Sequence, residues 1–441
     1  NVAVNQIGND VQASVADSTL TSTGNIGVLA NGREKLGNYA GALGVSAFKG
    51  GAGIGVSVSS NEITGNTAAT VTGSTLQAAG KNDESIALTQ TMDDTGVQTS
   101  VTKDEQVITD ARKGIVTAAY GQHDLESVAV TGGIAASGSV SVGAAGTVTL
   151  NKLGGSTKAV VTNTTINETR TADANDDVTV KAIDRTNSES HVGSLSIGVG
   201  ATGGAGVAGA SDTLAFSCTT QAELSGNVSN PDSLQNKTVN GRNIDVTADQ
   251  KSSVVTNADG LSISGGGTAA ASAAATVAVT KLNGTTQAVV KNITSTNDKL
   301  NVTALHDHHT TLYSASAAAS GAPVGVAIGA GIGIVNDDFT TSALVDNSTS
   351  LSSTATSVNA DSTTDVDTYV IGTAASVGAA GATIGVNNIN STTTAEVNNS
   401  TIGKAGTITP DVSVDAHNKV TTNFGAATSS AGAAAIGVGV G

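Results

Sequence analysis

The sequence predicts an all-β chain wound into an elongated β-solenoid of the parallel β-helix kind, with about seven repeats of roughly 56 residues. The first observation behind this is a spacing. Ala248, Ala304, Ala360 and Ala416 close the strand-like segments "IDVTA", "LNVTA", "TSVNA" and "VSVDA", and consecutive copies lie 56 residues apart. The second is alternation at period two, with Val and Thr prominent and Asn, Gly or Asp at the breaks, a pattern of strands and turns rather than helices. The third is composition: aromatic residues make up 2% of the chain, Trp is absent and Gly numbers 54, so large side chains cannot fill an ordinary globular core. Stacking removes that difficulty. If residue i lies over residue i+56, Ala packs on Ala, Val on Val and Asn in hydrogen-bonded ladders, at about 4.8 Å per coil.

Each unit reads in a fixed order: a Gly/Ala stretch, a T-x-A-x-V strand, then a V-x-V-x-A strand. The T-x-A-x-V copies centre on Ala69, Ala159, Ala222, Ala288, Ala343 and Ala395, with a degenerate "VQASV" at Ala13. Earlier relatives of the third element are "IGVLA" ending at Ala30, "IALTQ" ending at Gln90 and "VTVKA" ending at Ala182. The array is read as one continuous solenoid over 1–441. Two arrangements are open for the unit: two or three short coils of about 19 to 28 residues each, or a single wide coil. The uncharged stretch "SAAASGAPVGVAIGAGIGIV" from Ser316 passes for a membrane span by length. Its counterparts recur beside polar strands in every unit, so it reads as buried solenoid strand, with no direct membrane insertion.

Charge narrows the partners. The formal net charge is −16 and the five arginines are scattered, which argues against nucleic acid. Cys218 is the single cysteine, so neither an intrachain disulfide nor a cysteine-rich metal site is possible. No phosphate loop, nucleophile triad or paired-carboxylate motif is recognisable, so neither cofactor nor catalysis is expected. A carbohydrate-active β-helix is the enzymatic alternative; it would need carboxylates converging with aromatic platforms, and the four Tyr and four Phe are dispersed. The chain opens "NVAVNQIGND" without an export signal and both ends read as strands, the expectation for a piece of something longer.

Two departures interrupt the repeat. Residues 91–127 form an insertion rich in charge, with Lys103, Asp104, Glu105, Asp110, Arg112 and Lys113 near Tyr120 and His123. Mixed charge beside an aromatic makes these eight residues the candidate recognition surface, presented on a segment expected to project from the scaffold. The stretch 225–241 reads as a minor surface loop. Two motifs have metal-like chemistry. "LHDHH" gathers His306, Asp307, His308 and His309, but adjacent strand residues face opposite ways and the equivalent residues of neighbouring units are polar, so a solvated turn is expected. "DANDD", Asp173 to Asp177, spaces oxygens as calcium loops do but lacks their Gly and distal Glu.

The run "VGAAGATIGVNNINSTTTAEVNNSTI" followed by "VSVDAHN" resembles the repeat regions of very large bacterial surface proteins: the leukotoxin-like filamentous adhesins and, more loosely, filamentous haemagglutinin-type autotransporter passengers. The resemblance implies an exported, non-catalytic stalk held at the outer membrane by regions outside this sequence. It further implies adhesion to receptors or glycans on host or neighbouring cells. The alternative is a subunit of a self-assembling extracellular filament.

Overall fold

The computed structural model describes residues 1–81, 85–90, 108–169, 175–226, 236–403 and 411–441. The strands follow one another as turns of a flattened coil. The first turn runs β1 (Val2–Ile7) and β2 (Asp10–Ala16), a corner strand β3 (Thr19–Ser22), and β4 (Ile26–Ser46). The second runs β5 (Ala52–Thr72), corner β6 (Thr75–Ala78), a hairpin of β7 (Ile86–Gln90) and β8 (Ile108–Arg112), then β9 (Ile115–Ser137). Next come β10 (Val140–Thr162), β11 (Thr165–Ile166) and β12 (Val178–Gly200), followed by β13 (Gly203–Ser225), β14 (Lys237–Thr238) and β15 (Asn243–Gly266). In the following turns the corner merges into the long strand: β16 (Ala269–Lys291) with β17 (Ile293–Gly321), and β18 (Val324–Asp346) with β19 (Thr349–Ala375). The last are β20 (Gly378–Asn398), β21 (Thr401–Ile402), β22 (Asp411–Ala431) and β23 (Ala434–Val440).

Two long parallel sheets result, with a short parallel sheet of β3, β6 and β11 at the corner. The first joins β1 and β2 to β5, β10, β13, β16, β18, β20 and β23; the second joins β4, β9, β12, β15, β17, β19 and β22. Among the described residues, only the β7–β8 pair is antiparallel. One unit is therefore one wide coil, not two or three short ones. A strand of 23 residues such as β10 spans about 75 Å, and each added coil advances the axis by only about 4.8 Å.

The register carries the sequence repeat. Ala13, Ala69, Ala159, Ala222, Ala288, Ala343 and Ala395 pair in succession across the first sheet. Ala182, Ala248, Ala304, Ala360 and Ala416 pair across the second. Ala248, Ala304 and Ala360 are fully buried. Ala416 stands in the same column but is exposed, because β22 pairs on one side only and no further coil covers it among the described residues. The second unit's member of this column is Ala119, paired with Ala30 and Ala182, and not Gln90. "IALTQ" is strand β7 of the hairpin, which shares the alternation without joining the stack.

Three zones divide each coil. At the corner, the columns of Ala and Val from both sheets meet Leu76, Ile166, Val239 and Ile293 in a triangular apolar core. The chain enters this corner through a left-handed residue, Asp17, Gly73, Asn163, Asn292, Asn347 or Asn399, with φ between 44° and 60°. This is why Asn, Asp and Gly recur at the breaks. The middle zone is lined by small polar side chains and a patch of Leu36, Ile63, Leu125, Leu153 and Leu214. At the Gly/Ala end the two sheets touch backbone to backbone. A Cβ on Gly53 would run into the Ile134 carbonyl, and one on Gly198 into that of Ala205. Interior positions there hold little beyond Gly, Ala, Ser and Thr, and the Val and Ile of the same strands face outward. Ile54, Val207 and Ile328 are about half exposed or more, at 63%, 52% and 48%.

Candidate functional site

The eight residues singled out in 91–127 do not form one surface. Lys103, Asp104 and Glu105 lie outside the described residues, and Asp110 belongs to β8. Arg112, at the end of β8, pairs with Asp245 of β15 at 3.2 Å, and Lys113 follows it, half-buried. Tyr120 and His123 are buried, at 6% and 5% exposure, because residues from Ile115 onward are strand β9 of the stack itself. The extra residues enter between Ala78 and Ile115, where the first coil needs only the link from Ser22 to Ile26. The hairpin packs on the outer face of the second sheet: Ile86 lies against Val116, Ala118, Tyr120 and Ile183. Tyr120 points outward, and the hairpin covers it. The stretch 225–241 enters at a corner, between β13 and β15, with β14 within it.

His123 faces inward, where the stack brings together acidic and hydroxyl groups that no sequence motif links. Its Nδ1 lies 3.0 Å from Glu34 Oε2 on the adjacent β4 and its Nε2 3.5 Å from Asp184 Oδ2 on β12. Thr157 and Thr186 donate hydroxyl hydrogen bonds of 2.6 and 2.9 Å to Asp184. Burial opposes charge on His123, but the carboxylates of Asp184 and Glu34 outweigh it and push the imidazolium up to about 10. Burial likewise opposes ionisation of Asp184; His123 and the two threonines overcome it and hold its carboxyl below the usual range. The imidazole thus stands between two carboxylates, one on each nitrogen. Such a group locks three neighbouring coils together, and its groups lie away from solvent.

A second inward cluster occupies later coils. His306 and His308 are interior residues of β17, at 3% and 1% exposure, whereas the side chains of Asp307 and His309 are 53% and 45% exposed. The alternation expected for a strand holds; the solvated turn does not, because polar residues line the interior at this level. His306 Nδ1 pairs with Ser362 Oγ at 3.2 Å, and its ring stacks on Phe339 with centroids 4.2 Å apart. Burial holds His306 neutral, down to about 4. Asp337 lies near His308, Oδ2 to Nε2 3.8 Å, and burial, aided by Asp338, pushes its carboxyl up to about 7. An Asn ladder also crosses the middle zone: Asn5 donates to Asn61 at 3.0 Å, and Asn61 to Asn151 at 2.8 Å.

The "DANDD" oxygens are partly engaged by protein. Asp177 accepts from Arg242 Nε at 3.0 Å and Nη2 at 2.7 Å and from the Asn243 side chain at 2.9 Å, a clamp between consecutive coils. Asp173 lies outside the described residues. Among the described residues, no three His, Cys, Asp or Glu side chains come together as a metal-binding group. The exposed features are faces. One is a shallow apolar groove on the second sheet lined by Val130, Leu195, Leu261 and Ile371; beside it Tyr313 and Tyr369 stack at 5.1 Å. No helix is long and apolar enough to cross a membrane among the described residues. No protein-family model, curated protein or solved structure matches this chain.

Proposed function

We propose that the chain is a non-catalytic structural segment of an exported bacterial surface fibre, a stalk whose repeated faces carry adhesive contacts to receptors or glycans of host or neighbouring cells. The observation that carries this reading is the unbroken register: a column of seven alanines in the first sheet and the matching column in the second run from coil to coil. Repetition of this kind builds a stiff object whose length follows coil number, and the ionisable groups in its interior join coils rather than face a substrate. Electron microscopy of the purified chain tests it. Single flat particles about 75 Å across the strands support a stalk segment. Axial polymers, formed as end coils pair strand to strand, would support the filament alternative instead. A glycan array and a polysaccharide turnover screen complete the test: binding without turnover fits the proposal, and turnover overturns it.

A further inference from the structure

The narrowness of the Gly/Ala end has a chemical consequence on the outside. Since only small residues fit between the sheets, the aliphatic residues of the alternating pattern face out, and in the first sheet they line up. One outward row contains Ile54, Val207 and Ile328, each in register with Ala in the strand between. A second contains Val58, Val148, Val277, Ile332 and Ile384. Between these ridges, over the five strands β10 to β20, runs a row of small residues, Gly146, Gly209, Ala275, Ala330 and Ala382, closed at its ends by Val56 and Val438. No Asp, Glu, Lys or Arg points outward anywhere in this half of the sheet; charge begins two outward rows beyond that of Val58, with Glu62, Lys152 and Lys281.

We propose that this face pairs with the same face of a second copy, related by a two-fold axis that lies between the two faces and runs along the stacking direction, so that the ridges of each copy seat in the small-residue groove of the other. Area supports it. Nine residues of strand by seven or eight strands is about 30 Å by 35 Å, or about 1,000 Å², against about 800 Å² per partner in a stable complex. Charge supports it as well. A chain of net charge −16 repels its own copies, and this approach brings uncharged halves together while the two-fold axis carries the charged halves to opposite sides. The ridge-and-groove relief is self-complementary, as a two-fold interface requires. The second sheet offers a less suitable face, because Asp259 and His191 interrupt its outward rows. The proposal is independent of the stalk reading, since a face that pairs laterally serves any function.

Sedimentation velocity of the purified 441-residue chain over about 1–100 µM, a range that brackets typical homodimer constants, tests it. The expected result is a dimer whose dissociation constant rises about 100-fold or more in Ile328→Lys, where a charge would be buried in the interface. Asn283→Lys, an outward residue of the polar half, should leave it unchanged. Circular dichroism checks the fold of each variant. If Ile328→Lys loses strand signal, Ile328→Ser replaces it, with a rise of about tenfold expected. A wild-type chain that stays monomeric overturns the proposal. So does a dimer indifferent to both Ile328 changes, which would place association at the coil ends, or a monomer that floats with neutral phosphatidylcholine vesicles, which would assign the face to lipid.

Discussion

Breaking the Glu34–His123–Asp184 group should weaken one end of the stack and spare the other. His123→Ala leaves two buried carboxylates without their shared cation, a loss of about 3–5 kcal/mol where one partner of a buried pair is removed. Titration gives a second measure of the same contact. The imidazolium sits at about 10 in the folded chain and at about 6.5 in the unfolded one, a difference of about 5 kcal/mol between protonation states. Because the folded value is the higher, this stabilisation is fully present below pH 6.5 and is lost as pH rises through 10. Coils stack with nearest neighbours only, so the loss should stay local to β4, β9 and β12. The assay is twofold: the ring carbon of His123 in histidine-labelled protein, followed by NMR from pH 5 to 11, and hydrogen exchange of the three strands at pH 7 in wild type and His123→Ala. An imidazole that titrates near 6.5, or exchange unchanged by the substitution, would refute the reasoning.

Three further outcomes are expected. Ala304→Leu or Ala360→Leu should cost about 3 kcal/mol or more, against about 2 kcal/mol for Val358→Ala, because overpacking cannot relax between fixed alanines above and below; equal losses of melting temperature would count against the columns. Acid should loosen the later coils: His306 is held down to about 4, below its unfolded value near 6.5, so the unfolded chain takes up the proton first and stability falls as pH drops from 6.5 to 4. Hydrogen-exchange protection of β17 compared at pH 7 and pH 5 reads this; burial also holds His308 neutral and acts the same way, while the raised carboxyl of Asp337 acts the opposite way, so a His306→Gln variant should shrink the dependence rather than abolish it. Joining Lys81 to Lys113 by a short link should keep the parallel sheets while uncovering Val116, Ala118 and Tyr120, whereas removing 115–127 takes half of β9 out of the stack; circular dichroism and dye binding separate the two, and equal collapse would make the hairpin integral to the fold.

The alanine columns and the strand content were legible because stacking makes like face like at a fixed spacing. Coil width was not. Gly and Ala say little about where a strand ends, so one 23-residue strand such as β13 reads as several short ones. Gln90 reads as a column member because β7 alternates as a stacked strand does; only pairing distinguishes it from Ala119. The interior groups were hidden for a different reason. Glu34, His123 and Asp184 belong to three separate coils, and register alone brings them together. His306 and His308 looked like loop residues because their stacked neighbours, Gln250 and Ser252 below and Ser362 and Thr364 above, are polar, and a polar interior has the composition of a turn. The outward aliphatic rows follow from the contact between the sheets, which no single strand's sequence reveals.

A cysteine-pair measurement tests one wide coil per repeat most directly. Asn301 and Ser357 are outward register partners on β17 and β19, which places their Cα atoms about 4.8 Å apart, within disulfide reach. Asn301 and Asn359, one residue pair out of step on the same face, are separated by about 8 Å and are not. Cys218, the sole native cysteine, is buried. Under mild oxidation, Asn301→Cys with Ser357→Cys should cross-link nearly completely within one chain, and Asn301→Cys with Asn359→Cys should not. Cross-linking of the displaced pair alone, or of neither, would contradict a 56-residue coil stacked in register.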